Sequence, residues 1–406
     1  MDAERDIEAL AGIGGRPPGS DAERRAANLL KRRLEEMGRE AELEHVDCRP
    51  NWPLTYAALA VAAIVGSVLS VSAPVAGAAI ALVALVVLFL DATGLLLTVR
   101  RLFGRRASQN VLSRDRGDRP GVLVLVAHYD SGRSGAGFGR RLQERRARLG
   151  RLVRRPIGPL EPLFWAMAAV LACCLIRLPG MEGTVLTAIQ FVPTVALILA
   201  VPPLVDVALA RPVPGANDNA SGVAIALGLA ERHGGRLEHL DVWVLLTGAQ
   251  EAVAQGMRSF LRRHRRDLGR ERTVFVNIDE VGVGSVRFAR REGLLIATRS
   301  HRQLVKLCEE IAEDEGAGAR AIVSRTASDG HAASSAGYPA VTITCRDALD
   351  HTPDHHRPTD TPDRIDPAAL RRAEAFCDEL LRRLDAEIGP DLAAPAEETV
   401  LSESSE

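Results

Sequence analysis

Five short polar motifs in this sequence contain residue types that can hold metal ions. The first is His128-Tyr129-Asp130, which closes the apolar run GVLVLVAH. In an H-x-D pair the imidazole can bind a metal ion while the neighbouring carboxylate fixes its tautomer. The same pair also occurs incidentally at strand ends, so its meaning depends on the motifs that follow.

The second motif is the segment GANDNASG (215–222), a turn of small residues that opens a helical pattern. Asp218 lies at its centre. Small residues let the backbone approach closely, and a carboxylate can bridge two cations through its two oxygens. Asp218 or Asn219 could instead cap the helix, and the bridging and capping roles are compatible.

Three further motifs add carboxylates and imidazoles. TGAQE (247–251) ends one strand pattern, NIDE (277–280) ends another, and HHRPTDT (355–361) places two histidines in a loop. Open α/β sheets bind their ligands at the carboxyl ends of the strands. One bridging carboxylate, two terminal carboxylates and two imidazoles form an oxygen and nitrogen ligand set that suits a pair of zinc ions.

In this order the motifs resemble those of the di-zinc metalloexopeptidase family, which includes bacterial leucyl aminopeptidases, glutamate carboxypeptidase, glutaminyl cyclase and the transferrin receptor ectodomain. GRPPGS (15–20) resembles the stretch that opens such domains, and Ser328-Asp329 followed by AGYPA (336–340) resembles a segment near the specificity pocket. The resemblance covers nearly all of the chain outside two hydrophobic insertions and the tail. It implies a zinc-dependent aminopeptidase with two Zn²⁺ ions, acting on peptides with a free N-terminus.

The resemblance also implies a metal-binding role for five positions. Asp218 would bridge both ions, and the terminal ligands would be His128 and Asp279 on one ion and Glu251 and His356 on the other. Asp130 would orient His128. His356 is preferred to its neighbour His355 because the family's ligand stands four residues before the Asp of an Asp-Thr pair, here at 360–361.

One departure from the family pattern affects catalysis. The family carries two consecutive glutamates where this chain has Gln250-Glu251, and the first glutamate acts as general base. Glutamine cannot accept that proton, although it can hydrogen-bond a water. General acid–base catalysis contributes roughly 10² to 10⁴ in rate. The chain is therefore either a weakened aminopeptidase or a catalytically silent family member that serves as a binding or assembly protein.

Two smaller points concern the surroundings of the site. Gly330 stands where many relatives carry His after Ser-Asp, and His331 follows one position later. Glu280 is the acid nearest in sequence to a predicted ligand. The alternation of side chains along a strand predicts that it points away from Asp279.

Composition excludes some other functions. The 406 residues carry a formal net charge of −1, which does not indicate a nucleic-acid partner. Six cysteines are scattered without a C-x-x-C pair, so they predict neither a thiolate zinc site nor a disulfide framework.

The elements that would position the motifs are typical of an α/β fold. Buried-strand runs rich in Val and Ile alternate with helical patterns and predict a mostly parallel sheet sandwiched by helices. The predicted strands are 121–128, 240–248, 273–280 and 339–345. The predicted helices are 21–38, 222–233, 303–315 and a last helix after Asp366-Pro367.

Two hydrophobic blocks interrupt this domain. Residues 54–99 and 163–210 are almost entirely apolar, and each is long enough for a pair of bilayer crossings. We expect two inserted transmembrane hairpins, at 52–101 and 161–210, although the second could be a buried or interfacial helical pair. The peptidase domain would then comprise 1–51, 102–160 and 211–388, followed by a disordered acidic tail at 389–406.

Arginines at the helix flanks predict the orientation. Four of them follow the first hairpin and the Arg run at 139–155 precedes the second, whereas the hairpin tips carry only Arg177. The positive-inside rule then predicts an integral membrane protein of a bacterial-type plasma membrane, with the soluble domain on the cytoplasmic side. We interpret the 139–155 run as a juxtamembrane helix attracted to the lipid bilayer, and not as a nucleic-acid site.

Overall fold

The computed structural model describes residues 3–115, 117–314 and 318–393. Its centre is one sheet, in which nine strands of the described part are arranged in the order β1-β2-β4-β3-β5-β9-β6-β7, with β8 beside β6. The strands are β1 Ala41–Cys48, β2 Arg106–Ser113, β3 Gly121–His128, β4 Leu240–Thr247, β5 Thr273–Ile278, β6 Ser285–Glu292, β7 Thr298–Arg299, β8 Arg320–Ser324 and β9 Ala340–Arg346.

The middle of the sheet is parallel, as predicted. Strands β4, β3, β5 and β9 lie side by side in parallel register, and they coincide with the four apolar runs. A strand covered by helices on both faces needs nearly continuous apolar side chains, and those runs supply them.

The prediction of a mostly parallel sheet is wrong for the flanks, because the sheet is mixed. β1 pairs antiparallel with β2, β2 with β4, and β6 with both β7 and β9. Antiparallel neighbours need no crossover helix, and β1 alternates buried and exposed residues instead of forming an apolar run. The signal used to find strands therefore missed these.

Helices cover both faces of the sheet. The larger core joins α1, α2, α8, α10 and α12 to one face, and a second core joins α9 and α11 to the other. The helices are α1 Ala3–Ala11, α2 Asp21–Glu36, α3 Trp52–Leu69, α4 Pro74–Ala92, α5 Arg140–Leu152, α6 Glu161–Arg177, α7 Thr184–Leu209, α8 Ser221–His233, α9 Gln255–His264, α10 Arg302–Asp314, α11 Asp329–Ser335, α12 Pro367–Arg383 and α13 Gly389–Ala393.

The two hydrophobic blocks form a bundle of four helices, α3, α4, α6 and α7, with a core of its own. Three of these helices, α3, α4 and α7, are long and apolar enough to cross a membrane, judged by length and composition within the described residues. Helix α6 has 17 residues and is not among them. Its ends are polar, since Glu161 pairs with Arg155 and Arg177 hydrogen-bonds Gln190.

Each insertion leaves and rejoins the domain at neighbouring backbone positions. Cys48 and Arg106, which flank the first insertion, are directly paired in the β1/β2 ladder. Arg133 and Pro212, which flank α5 and the second insertion, form an isolated antiparallel bridge. The sheet is therefore continuous across both insertions. The predicted tail at 389–406 begins with the short helix α13, and residues 394–406 lie outside the described residues.

A buried ion pair joins the helix bundle to the domain. Arg100 contacts Asp91 at the end of α4, with Nη2 2.6 Å from Oδ1, and both side chains are fully buried. The Arg100 Nη1 group donates to the carbonyl oxygen of Ala252 at 2.9 Å. Asp91, a charge within the first hydrophobic block, thus has its partner in the segment that follows the block.

Candidate metal centre

The five residues predicted as metal ligands come together at the carboxyl ends of the parallel strands. His128 Nε2 lies 3.2 Å from Asp218 Oδ1 and 3.3 Å from Asp279 Oδ1. On the other side, His356 Nε2 lies 3.4 Å from Asp218 Oδ2 and 2.9 Å from Glu251 Oε1. The two oxygens of Asp218 therefore face two different groups of nitrogen and oxygen atoms.

The chemistry of this cluster fits cations. Two groups of close ligand atoms share Asp218: one contains His128 and Asp279, and the other contains His355 and His356. Asp218 Oδ2 is buried and lacks a hydrogen bond from the described residues. Burial tends to raise the pKa of Asp218, but contacts with His128 and His355 outweigh it and hold the pKa well below the usual value. An ionised, unsatisfied carboxylate oxygen is suited to a metal ion.

Asp218 is positioned by the loop that carries the predicted histidine ligand. The Asp360 carboxylate accepts hydrogen bonds from the backbone N–H groups of Asn217 (2.7 Å) and Asp218 (3.1 Å). Burial and the charge of Asp218 raise the pKa of Asp360 to about 7. In the sequence, Asp360 served only as the marker that identifies His356. Its contact with the 215–222 turn gives it a second role, which is to position Asp218.

The turn at 249–252, which carries Gln250 and Glu251, is held by acids from two other segments. The Asp130 carboxylate accepts from the N–H groups of Gln250 (3.1 Å) and Glu251 (3.0 Å). Glu23 on α2 accepts from the N–H of Ala249 at 2.9 Å. Burial and the charge of Asp130 raise the pKa of Glu23 to about 8. The sequence predicted only a helix over 21–38 here, without a site role for Glu23.

Asp130 was predicted to orient His128. His128 Nδ1 lies 3.1 Å from the backbone carbonyl oxygen of Asp130 and 3.5 Å from its carboxylate Oδ1. The backbone carbonyl oxygen of Asp130 is thus closer to the imidazole than the Asp130 carboxylate is. The carboxylate instead accepts hydrogen bonds from the backbone of the 249–252 turn, and these are shorter than its distance to the imidazole.

Arg16, from the GRPPGS segment, ties two of the site's loops together. Its buried guanidinium donates to the carbonyl oxygens of Tyr129 (2.9 Å) and Gly215 (3.1 Å). Tyr129 follows the ligand His128, and Gly215 opens the turn that carries Asp218. This segment was identified by resemblance alone, and the structure adds a physical reason for the arginine.

Gln250 lies at the edge of the site with its side chain already engaged. Its Nε2 group donates to the carbonyl oxygen of Ala327 at 3.0 Å. The amide lines the same cavity as Asp218 and Glu251. A residue at the predicted base position therefore serves here as a hydrogen-bond donor to the loop before α11.

The expectation that Glu280 points away from the site is wrong. β5 ends at Ile278, before Asp279, so the alternation of a strand does not apply to Glu280. The buried Glu280 carboxylate contacts His355 Nδ1 at 2.5 Å, and His355 Nδ1 is also 3.2 Å from Asp218 Oδ2. Glu280 and His355 are therefore both neighbours of the predicted metal ligands.

His331 does not supply the histidine missing at position 330. A side chain at Gly330 would begin 2.2 Å from Thr342 Oγ1, so this backbone position has no room for one. The ring of His331 is buried, with Nε2 3.3 Å from Ser335 Oγ, and it does not line the site cavity. Burial and the charge of Arg258 lower the pKa of His331 to about 4.

The cavity at the site has a volume of about 400 Å³ and two kinds of wall. One wall is the metal-ligand cluster. The opposite wall comes from the hydrophobic insertions, and includes Trp52 and Tyr56 on α3, Leu163 on α6, and Leu204 and Val207 on α7. Helices that the sequence predicts as membrane anchors thus also form part of the site.

Comparison with known proteins agrees with these observations. Residues 202–381 match the sequence model of peptidase family M28. The resemblance to the di-zinc exopeptidases is confirmed. The M28 segment contains Asp218, Glu251, Asp279 and His356, whereas His128 precedes it. No curated protein is similar enough in sequence to count as a match.

Several solved structures share the fold of this chain. A zinc aminopeptidase from Bacillus subtilis is 13% identical, with a TM-score of 0.55 over 95% of this chain and 94% of that one. A glutaminyl cyclase from Bacteroides thetaiotaomicron is 14% identical, with a TM-score of 0.55 over 94% and 96%. A leucine aminopeptidase precursor from the same organism is 14% identical, with a TM-score of 0.53 over 94% and 95%. At these identities the likeness concerns the fold.

Proposed function

We propose that this protein is a membrane-anchored, zinc-dependent exopeptidase of the aminopeptidase type, which hydrolyses N-terminal peptide bonds. The observation that carries the proposal is the position of Asp218, whose two carboxylate oxygens face His128 with Asp279 and His356 with Glu251. The match to peptidase family M28 supports the reaction class.

The proposed cofactor is a pair of Zn²⁺ ions. Asp218 would hold both, His128 and Asp279 would complete one site, and Glu251 and His356 would complete the other. Zinc bound in this way would polarise the scissile carbonyl and lower the pKa of a bound water. The chain's own contribution is positioning: Asp360 fixes the Asp218 turn, and Asp130 with Glu23 fixes the Glu251 turn.

Gln250 supports a second candidate function. An amide that donates to Ala327 cannot act as a general base, so the same site could bind peptides or metal without turning peptides over. In that case the protein is a binding or assembly protein with the peptidase fold. The cluster around Asp218 counts against a scaffold that binds no metal, because such a scaffold does not need it.

The proposal includes the membrane. Helices α3, α4 and α7 would anchor the protein in a lipid bilayer, with the soluble domain on the cytoplasmic side, and its partners would be peptides with a free N-terminus. The decisive experiment measures bound metal and turnover of a panel of aminoacyl peptides by the full chain in detergent. Zinc with N-terminal cleavage is expected. Zinc without cleavage, even after Gln250→Glu, would support the binding protein, and a folded protein that takes up no zinc would contradict both metal-based readings.

A further inference from the structure

A second cavity, of about 570 Å³, adjoins the candidate metal centre. It lies between α5, the β6 and β8 edge of the sheet, and the 346–355 loop. Phe138, Arg146, Arg325 and His355 line both this cavity and the site cavity. A molecule bound at the metal centre can therefore extend into the second cavity, which we name the arginine cleft.

The arginine cleft carries a large excess of positive charge. Eight arginines line it, and some of them have carboxylate partners: Arg320 pairs with Asp350, Arg346 with Glu280, and Arg155 and Arg325 share Glu161. No carboxylate of the described residues forms an ion pair with the other four, which are Arg146, Arg151, Arg154 and Arg290. Like charges gathered in a concave surface focus a positive potential that attracts anions.

Unsatisfied donors line the same cleft. Arg146 Nε, Arg325 Nε and His351 Nε2 are buried, and none of them has a hydrogen-bond partner in the described part of the chain. Buried donors are nearly always satisfied in folded proteins, so the two arginine Nε groups beside one cavity indicate a ligand that supplies acceptors. The His351 Nε2 atom can donate or accept, depending on the tautomer of the ring. Guanidinium groups match carboxylates particularly well because they can donate two parallel hydrogen bonds.

We propose that the arginine cleft binds carboxylates of the peptide substrate, so that the preferred substrates are acidic beyond the scissile bond. The inference rests on the proposed function, since it assumes a peptide whose N-terminus is at the metal centre. The residues shared by the two cavities favour an anionic group on the same molecule over a separate ligand. The neutral wall of the site cavity, formed by α3, α6 and α7, cannot compete for such a group.

The test compares two fluorescent peptides of equal length, Leu-Gly-Glu-Glu and Leu-Gly-Gln-Gln, each with a free N-terminus and an amidated C-terminus. Binding to the full chain in detergent is measured by fluorescence anisotropy, which does not require turnover. Hydrogen bonds to charged groups predict that the acidic peptide binds about tenfold tighter or more at low salt. The advantage should shrink as salt rises, because ions screen the cleft.

A double variant, Arg151→Gln with Arg290→Gln, at two arginines that line the cleft but not the site cavity, should remove most of the acidic peptide's advantage while the neutral peptide binds as before. Neither arginine has an ion-pair partner among the described residues, so their loss leaves no carboxylate unpaired. The matched control is Arg265→Gln with Arg266→Gln, at two exposed arginines just after α9 and outside the cleft. This control should keep the full advantage.

Four results would overturn the inference. If the wild type binds the two peptides equally, the inference fails and the proposed function stands. The same follows if the control variant loses as much of the acidic peptide's advantage as the cleft variant does. Equal peptide binding combined with a selective loss of affinity for phosphatidylglycerol vesicles in the cleft variant would assign the cleft to lipid headgroups. A zinc-loaded wild type that binds neither peptide would contradict the proposed function itself.

Discussion

Position 250, where the resemblance expects a general base, carries an amide beside the cluster of predicted metal ligands. The Gln250 amide faces the cavity and donates to the Ala327 carbonyl oxygen at 3.0 Å. An amide can hydrogen-bond a water but cannot take its proton. At this position the departure from the expected general base is one side-chain nitrogen in place of an oxygen.

The variant Gln250→Glu should raise aminopeptidase turnover by roughly 10² to 10⁴, because it restores a general base at the site. The carboxylate cannot donate to Ala327, so it should turn from that carbonyl toward the cavity. Zinc content and the melting temperature should stay at wild-type values, since glutamate and glutamine have nearly the same shape. Initial rates on aminoacyl peptides provide the measurement.

Gln250→Ala is the control, and it should not gain activity. If wild type is already fast and Gln250→Glu does not change the rate, another residue serves as base. If wild type and Gln250→Glu are both inert with zinc bound, the binding function replaces the enzymatic one.

Because the two oxygens of Asp218 face different ligand groups, removing Asp218 should have a different effect from removing the terminal ligand Glu251. Asp218→Ala should release both zinc ions, because each oxygen faces a different ligand group. Glu251→Ala should weaken mainly the ion near His356. Zinc per chain after dialysis, measured by elemental analysis, should fall from about two to near zero in the first variant and to about one in the second. Equal losses in the two variants would contradict the bridging role.

At the scale of elements, the 249–252 turn has three supports from distant parts of the chain. Glu23 and Asp130 accept its N–H groups, and Arg100 donates to its Ala252 carbonyl oxygen. Arg100 is also the partner of Asp91 at the end of α4. The helix bundle and the turn that carries Glu251 are thus connected through one buried side chain.

Arg100→Leu should destabilise the protein by about 3–5 kcal/mol, because it leaves Asp91 buried without its partner. Adding Asp91→Leu removes that unpaired carboxylate and should restore most of the stability. The double variant should still bind zinc less tightly than wild type, because the Ala252 carbonyl has lost its donor. Unfolding in detergent and competitive zinc titration measure the two effects. Wild-type zinc affinity in the double variant would show that Arg100 does not position the turn.

How far the sequence predicts this structure depends on the kind of contact. The parallel strands and the helices of the domain follow from local patterns, since burial on both faces requires apolar runs such as 121–128. The antiparallel strands lack such runs, as in β1, where buried and exposed residues alternate, so they escape that signal. The contacts of Glu23 and Asp360 with the site are not local at all, because Glu23 and Ala249 are 226 positions apart.

At the scale of the whole molecule, strand pairing constrains the membrane topology. β3 precedes α6 and α7 in the chain, and it pairs with β4 and β5, which follow them. All three strands must lie on one side of a membrane. In the proposed membrane-anchored form the chain would cross an even number of times between them, so α6 and α7 would either both cross or both stay on the domain's side, although α6 has only 17 residues.

Labelling of introduced cysteines in intact cells tests this topology. Cysteines at Ser72 and Glu182, both exposed at the tips of the two hairpins, should react with an impermeant reagent outside the cell. A cysteine at Arg106 should be protected, because the positive-inside rule places this flank in the cytoplasm. The six native cysteines are buried and should add little background. Labelling at Arg106 together with protection at Ser72 would show that the orientation is the opposite of the predicted one. Protection at Glu182 alone would show that α6 and α7 both stay on the domain's side.

Cys48 pairs with Arg106, and Arg133 pairs with Pro212. The segments between these paired residues can therefore be deleted without interrupting a strand of the sheet. Short glycine linkers could replace both insertions, because the chain ends they join already lie side by side. We expect this water-soluble miniature to fold and to keep His128, Asp218, Glu251, Asp279 and His356 together. It would lack the cavity wall that Trp52 and Leu204 provide, so comparing its peptide selectivity with that of the full chain would separate what the domain recognises by itself from what α3 and α7 contribute.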